Sequence, residues 1–144
     1  GAMIVWIERS LALAIHERQL AQHGGGVGVR DEALHDSALA PPRQLLAYGD
    51  PPPVLASLAA ALAYGLARNH PFVDGNKRTA HVCYFVFLLL NDAQLEASLE
   101  EMYVQMIALA EGSLDEATFA DWLRARIVVA QGGQVQEKQA SYRR

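Results

Sequence analysis

The sequence predicts an all-α domain of about six helices, with a central buried helix and a short flap. Three observations carry this expectation. Leucines and alanines recur at three- and four-residue spacing through much of the chain, the period of helices that turn one face to a core. No set of segments alternates apolar and polar residues in the way that partnered, half-buried strands do. The apolar run from Val82 to Leu90 flows out of a polar stretch without a turn signal, and a helix that is apolar all round lies inside a domain. At 144 residues the chain is long enough for one domain with a real hydrophobic core.

Residues 4–22 set Ile7, Leu11, Ala14, Ile15 and Ala21 at roughly helical spacing. Gly24-Gly25-Gly26 ends this first helix. With Gly28 the run resembles a phosphate loop, but it lacks the Lys-Ser/Thr pair and a preceding strand, so it reads as a turn. A short helix is expected over 31–39, with Asp31 and Glu32 suited to its N-terminus and Pro41-Pro42 as its stop. Residues 41–53, PPRQLLAYGDPPP, hold five prolines, which fix φ and remove backbone donors. The segment is expected to be a loop or a short extended flap.

Residues 53–68 carry Leu55, Leu58, Leu62 and Leu66 among many alanines, a helix able to pack closely. A second long helix is expected over 76–91. Ser98 is placed to cap a helix over 99–111, with Glu101 as the capping-box acid and Met102, Met106 and Leu109 as the apolar stripe. Ser113 and Glu116 suggest the same device for a helix over 114–129, with Phe119, Leu123 and Ile127 facing inward. The domain is therefore expected to span 4–129. Gly1-Ala2-Met3 has the look of a tag remnant, and the polar, glycine-interrupted tail over 130–144 is expected to be disordered.

Composition narrows the function classes. The formal charge of −4 gives no general attraction to nucleic acid or anionic lipid. The longest apolar run is nine residues, against the roughly 20 that span a bilayer, and no signal peptide is recognisable. Cys83 is the single cysteine, so no internal disulfide can form, and it reads as a small buried hydrophobe. A soluble cytoplasmic protein is expected.

Between the two long helices lies NHPFVDGNKRTAH, residues 69–81, a concentration of polar groups where core would be expected to continue. Pro71 disfavours helical geometry in the residue before it, and Asp74-Gly75 makes a tight turn. Gly75, Asn76 and Lys77 then present backbone N–H groups at a helix N-terminus, where the first amides have no internal acceptor. The macrodipole makes this end positive, yet Lys77 and Arg78 add two cations, each costing on the order of 0.3–1 kcal/mol if nothing offsets them. A phosphate is the economical counter-charge: amides at a helix start, a guanidinium fork and an ammonium all suit its oxygens. His70 is a candidate general base for a hydroxyl nucleophile. Asp74 offers hard oxygen ligands for Mg²⁺, and Phe72 is the expected buried anchor of the loop. His81, one turn into the helix, reads as structural. Zinc is disfavoured, because no second histidine or cysteine stands at ligand spacing in the loop.

At these residues the chain resembles the Fic/Doc family, and within it the Doc (death-on-curing) toxins. The family motif HxFx(D/E)(G/A)N(G/K)R is matched without a mismatch by HPFVDGNKR, residues 70–78. The upstream GVRDEALHDSALAPP, 28–42, is also similar to Doc-like members, and the resemblance extends over roughly 4–127. It implies that His70 is the catalytic base, that Asp74 holds Mg²⁺ on nucleotide phosphates, that Gly75, Asn76 and Lys77 form the anion-holding turn, and that Arg78 clamps a phosphate. It places the flap at 41–53, where it would align an extended protein target by strand addition.

The resemblance also implies a choice of chemistry at Lys77. Members that transfer AMP usually have glycine there, whereas Doc-like members have lysine, and the resemblance implies that ATP then binds reversed and its γ-phosphoryl group is transferred; the target implied by the toxin that gives the type its name is a threonine of elongation factor Tu. Members with the (S/T)xxxE(G/N) inhibitory helix restrain themselves; no serine or threonine here has a glutamate four residues later. A Phd-like antitoxin with a disordered C-terminal segment that folds on binding is then the implied partner. The alternatives are an AMP-transferring enzyme with the same motif and an inactive binding module of the same fold.

Overall fold

The computed structural model describes residues 4–26, 32–48, 54–69 and 71–129. In order these form α1 (Arg9–His23), α2 (Glu32–Tyr48), α3 (Leu55–Asn69), α4 (Asn76–Leu90), β1 (Ala93–Leu95), α5 (Leu99–Glu111), α6 (Glu116–Arg124) and β2 (Ile127–Val129). The all-α expectation holds: six helices make the domain, and the strands are a three-residue antiparallel pair. Among the described residues no helix is long and apolar enough to cross a membrane.

α3 is the hub. Leu58, Leu62 and Leu66 fill its neighbours' grooves, while Ala59, Ala60, Ala63 and Ala67 let α2, α4, α5 and α6 approach its axis. α4 packs on α3 and α1 and adds Cys83, Tyr84 and Phe87 to the core, leaving Leu89 and Leu90 exposed at its end. Tyr84 sets its ring edge-on to Phe119 of α6, 5.4 Å between centroids. The capping box at Ser98 forms as expected: Glu101 N–H donates to Ser98 Oγ at 3.0 Å, and Ser98 N–H donates to Glu101 Oε1 at 3.1 Å. Met102, Met106 and Leu109 are the buried stripe of α5.

Four local expectations are corrected. The first helix starts at Arg9, not at residue 4. Residues ahead of it are engaged elsewhere: Val5 N–H donates to Asn91 Oδ1 and Val5 O accepts from Asn91 Nδ2, both at 2.8 Å, so a side chain imitates a neighbouring strand. The inward face of α1 is Ala12, Ile15, His16 and Gln19 rather than a purely apolar stripe; Ala14 and Ala21 are exposed.

The second correction concerns the flap. Pro41-Pro42 does not stop α2, which runs through both prolines to Tyr48, so residues 41–48 are not a loop. Residues 49–53 of the expected flap lie outside the described residues. Without an N–H at Pro42, the Ala38 carbonyl loses its helical donor. That carbonyl faces α3 at Gly65, where a Cβ would sit only 2.5 Å from Ala38 O. The missing side chain lets the helix backbones close on each other, and Ala38, Leu39 and Leu45 are packed into or against the core. Burial outweighs the local cost of proline, about 3 kcal/mol in a helix interior.

The last two corrections concern the C-terminal part. Its helix begins after Asp115, whose Oδ1 accepts from Thr118 N–H at 2.7 Å, while the Ser113 hydroxyl donates to Ala108 O at the exit of α5. Residues 127–129 leave the helix and pair with β1 in the register Ala93↔Val129, Gln94↔Val128, Leu95↔Ile127. The β-branched run Ile127-Val128-Val129 suits a strand once a partner is beside it.

Candidate active site

The polar stretch between α3 and α4 is a short loop pinned from within and from α1. Inside the loop, Phe72 N–H donates to Asn76 Oδ1 and Asn76 Nδ2 donates to Phe72 O, each at 3.0 Å. One carboxamide thus satisfies both backbone groups of Phe72 and folds the loop onto the first residue of α4. Phe72 itself is 1% exposed. Its ring stacks on the His16 imidazole, with centroids 3.8 Å apart and planes 9° from parallel. His16, 3% exposed, places Nε2 2.7 Å from the Asp74 backbone oxygen.

Gly75 sits at φ 77°, ψ 19°, the left-handed region that glycine enters without steric cost. Its N–H donates to Asp74 Oδ1 at 2.8 Å. The glycine run after α1 closes over this turn. A Cβ on Gly25, at φ 127°, would lie 2.7 Å from Asp74 Oδ2, and one on Gly26 would lie 2.9 Å from Val73 Cγ1. Gly24 and Gly25 both sit at positive φ after the end of α1, and the run packs against the side chains of Val73 and Asp74.

α4 begins at this turn with no side-chain cap on its N-terminus. Lys77 and Arg78 are both exposed there. The ion pairs among the described residues are Arg9–Asp36, Arg43–Glu8 and Arg124–Asp121, so neither Lys77 nor Arg78 has a carboxylate partner among them. Helix amides, the positive end of the dipole and two cations converge here, and the Asp74 carboxylate on the same turn engages the Gly75 N–H rather than either cation. That is the observation a phosphate fits. Asp74, exposed and at the same turn, fits a hard divalent cation held jointly with phosphate oxygens.

The structure brings Phe72, Asp74, Gly75, Asn76, Lys77 and Arg78 to one helix start. His70, the expected base, lies outside the described residues. Asn76 spends its side chain on Phe72, leaving its backbone N–H as its means of meeting an anion. His81 is half-buried, its ring edge-on to Tyr84 at 5.5 Å, and its Nδ1 has no hydrogen-bond partner. Desolvation pushes its pKa down, which favours the neutral ring. Sequence reasoning passed over His16, and read Gly25 and Gly26 as a turn without placing them against the loop. The available signal was a histidine at the spacing of an inward face, with Ala12, Ile15 and Gln19.

The comparisons agree with the motif. The Fic/DOC family model matches residues 6–88, more than half of the chain. The chain is 50% identical over 78 residues to the Toxin Doc of Mycolicibacterium smegmatis, a match covering 54% of this chain and 59% of that protein. It is 29% identical over 112 residues to the Protein kinase doc of Escherichia phage P1, covering 78% of this chain and 87% of that one. With the motif at the head of α4 and a family match that runs from residue 6 to residue 88, the chain belongs to the Fic/DOC family.

Proposed function

We propose that this chain is a Doc-type toxin that transfers the γ-phosphoryl group of ATP to a hydroxyl side chain of a protein, elongation factor Tu being the first candidate. The observation that carries the reading is the uncapped start of α4 with Lys77 and Arg78 free of carboxylate partners among the described residues. The relatives named Toxin Doc and Protein kinase doc support the same direction.

In this reading Arg78 clamps phosphate oxygens by its planar fork, and Lys77 adds a point charge and occupies the space that glycine leaves open in AMP-transferring relatives. The backbone N–H groups of Asn76 and Lys77 cradle an anion at the helix start, beside the Gly75 N–H that Asp74 Oδ1 already accepts. Asp74 is the carboxylate that would hold Mg²⁺, whose charge, when bound, neutralises phosphate oxygens during transfer. His70 takes the proton of the target hydroxyl. Phosphoryl transfer rests chiefly on positioning and charge stabilisation, and both are what a pinned loop at a helix N-terminus can provide. A small antitoxin that folds onto the domain supplies the inhibition for which the chain has no internal motif.

The test is incubation of the purified chain with elongation factor Tu, Mg²⁺ and ATP labelled at either the α or the γ phosphate, followed by intact-mass measurement. The expected result is γ label on the factor, abolished by His70→Ala. Label from the α position would replace the reading with AMP transfer. No label on this factor or on any protein of a lysate, with cellular toxicity unchanged by His70→Ala, would leave a binding module instead.

A further inference from the structure

We propose that His16 is a positioning residue for the proposed phosphotransfer, holding the Asp74–Gly75 turn in place through its Nε2–H. The inference rests on that functional reading, but its foundation is contact geometry. His16 meets three residues of the loop. Its ring stacks on Phe72, its Nε2 lies 2.7 Å from Asp74 O, and its Cδ2 and Nε2 lie 3.7 and 3.8 Å from where a Gly75 Cβ would be. A backbone carbonyl can only accept, so Nε2 must carry the hydrogen, which fixes the tautomer of the neutral ring.

Packing alone does not account for the residue type. The face of α1 that holds it also carries Ala12 and Ile15, and a leucine or phenylalanine would fill the same volume. What an apolar side chain would not supply is a donor for the Asp74 carbonyl. That bond fixes the peptide whose N–H, on Gly75, holds the Asp74 carboxylate at 2.8 Å. His16 therefore acts through Asp74, setting the orientation of a carboxylate assigned to Mg²⁺ and of a turn assigned to phosphate. Partners that orient a ligand in this way typically carry about 10- to 100-fold in affinity or activity.

Two variants separate the ring from its donor. His16→Phe keeps a flat aromatic on Phe72 and loses the N–H. His16→Gln gives up the stack and offers an amide N–H at a similar reach. Long-range ¹H–¹⁵N spectra of the wild-type chain should show His16 in the Nε2–H form. The Gly75 amide resonance should move in His16→Phe and return toward its original position in His16→Gln. In the transfer assay, His16→Phe should lower kcat by about 10-fold or more and raise the Mg²⁺ concentration needed for half-maximal rate, with His16→Gln recovering most of both. Melting curves of each variant separate this from loss of fold.

An Nδ1–H tautomer in the wild type, an unmoved Gly75 resonance in a folded His16→Phe, or equal activity of His16→Phe and wild type would overturn the proposal. So would equal losses in both variants that track their melting temperatures. If the wild-type chain transfers nothing, the functional reading fails on its own account, and the tautomer and the Gly75 resonance still decide whether His16 holds the turn.

Discussion

Gly65→Ala sets helix propensity against packing, and the two predict opposite signs. Gly65 lies within α3, away from its ends. Propensity alone makes alanine better there by about 0.8–1 kcal/mol. The new methyl, however, would stand 2.5 Å from Ala38 O and 3.3 Å from Ala38 C. Carbon and carbonyl oxygen rest at roughly 3.3 Å, so α2 would have to retreat by about 0.8 Å. The obstacle is backbone, which cannot swing aside as a side-chain tip does. Overpacking of this kind costs about 1–3 kcal/mol, and relief by moving α2 would loosen Ala38, which is fully buried. After the propensity gain, the net expectation is a loss of up to about 2 kcal/mol, read as a fall in melting temperature of up to roughly 8 °C. Thermal unfolding followed by far-ultraviolet circular dichroism measures it. A variant that melts at or above the wild type would show that the α2–α3 spacing is not set by this contact, and the account of how α2 passes through two prolines would fall with it.

Asn76→Ala removes the two bonds that its carboxamide makes to the Phe72 backbone and should cost about 1–3 kcal/mol in urea unfolding; a change below about 0.5 kcal/mol would mean that the reciprocal pair does not fix the loop. Ser98→Ala takes away the acceptor of the Glu101 amide and should cost about 1 kcal/mol. The Glu101 carboxyl is held below its ordinary pKa first by the Ser98 backbone N–H and then by the Ser98 side chain. Because the folded value is depressed, this contribution is present above the ordinary glutamate range and lost as pH falls through the folded value. In Ser98→Ala the Glu101 titration, followed by carbon NMR, should move part of the way back up; an unmoved titration would refute the box. Burial pushes the Cys83 thiol up to about 12, so native protein should resist a thiol reagent at neutral pH until it unfolds. Rapid labelling of the native chain would contradict the buried placement.

The candidate loop was legible because its chemistry is local. His70 to Arg78 fall within one short stretch, and a proline, an Asp-Gly turn and a helix start follow from neighbours in sequence. The Ser98 box was legible for the same reason, since both halves lie three residues apart. The missed features depend on distant partners. α2 continues through Pro41 and Pro42 because Gly65 admits its backbone, and Ile127–Val129 leaves the last helix because Ala93–Leu95 is beside it. At α1 the spacing of Ile7, Leu11, Ala14, Ile15 and Ala21 suggested one face; Ile7, Leu11 and Ile15 do meet the core, while Ala14 and Ala21 are exposed and His16 and Gln19 are buried, because the packed face is set by the loop and α4.

By itself the sequence determined the helical class, the position of the polar turn at the head of α4, and the set of groups that turn can offer an anion. Only the tertiary structure decided which residues hold the turn still. His16 reaches the Asp74 backbone carbonyl across 58 residues of chain, and Gly25, after the end of α1, lies where an added Cβ would meet the Asp74 carboxylate. Periodicity and capping preferences reach only a few residues along a chain, whereas a hydrogen bond and a close backbone contact depend on which surfaces the packed core brings together.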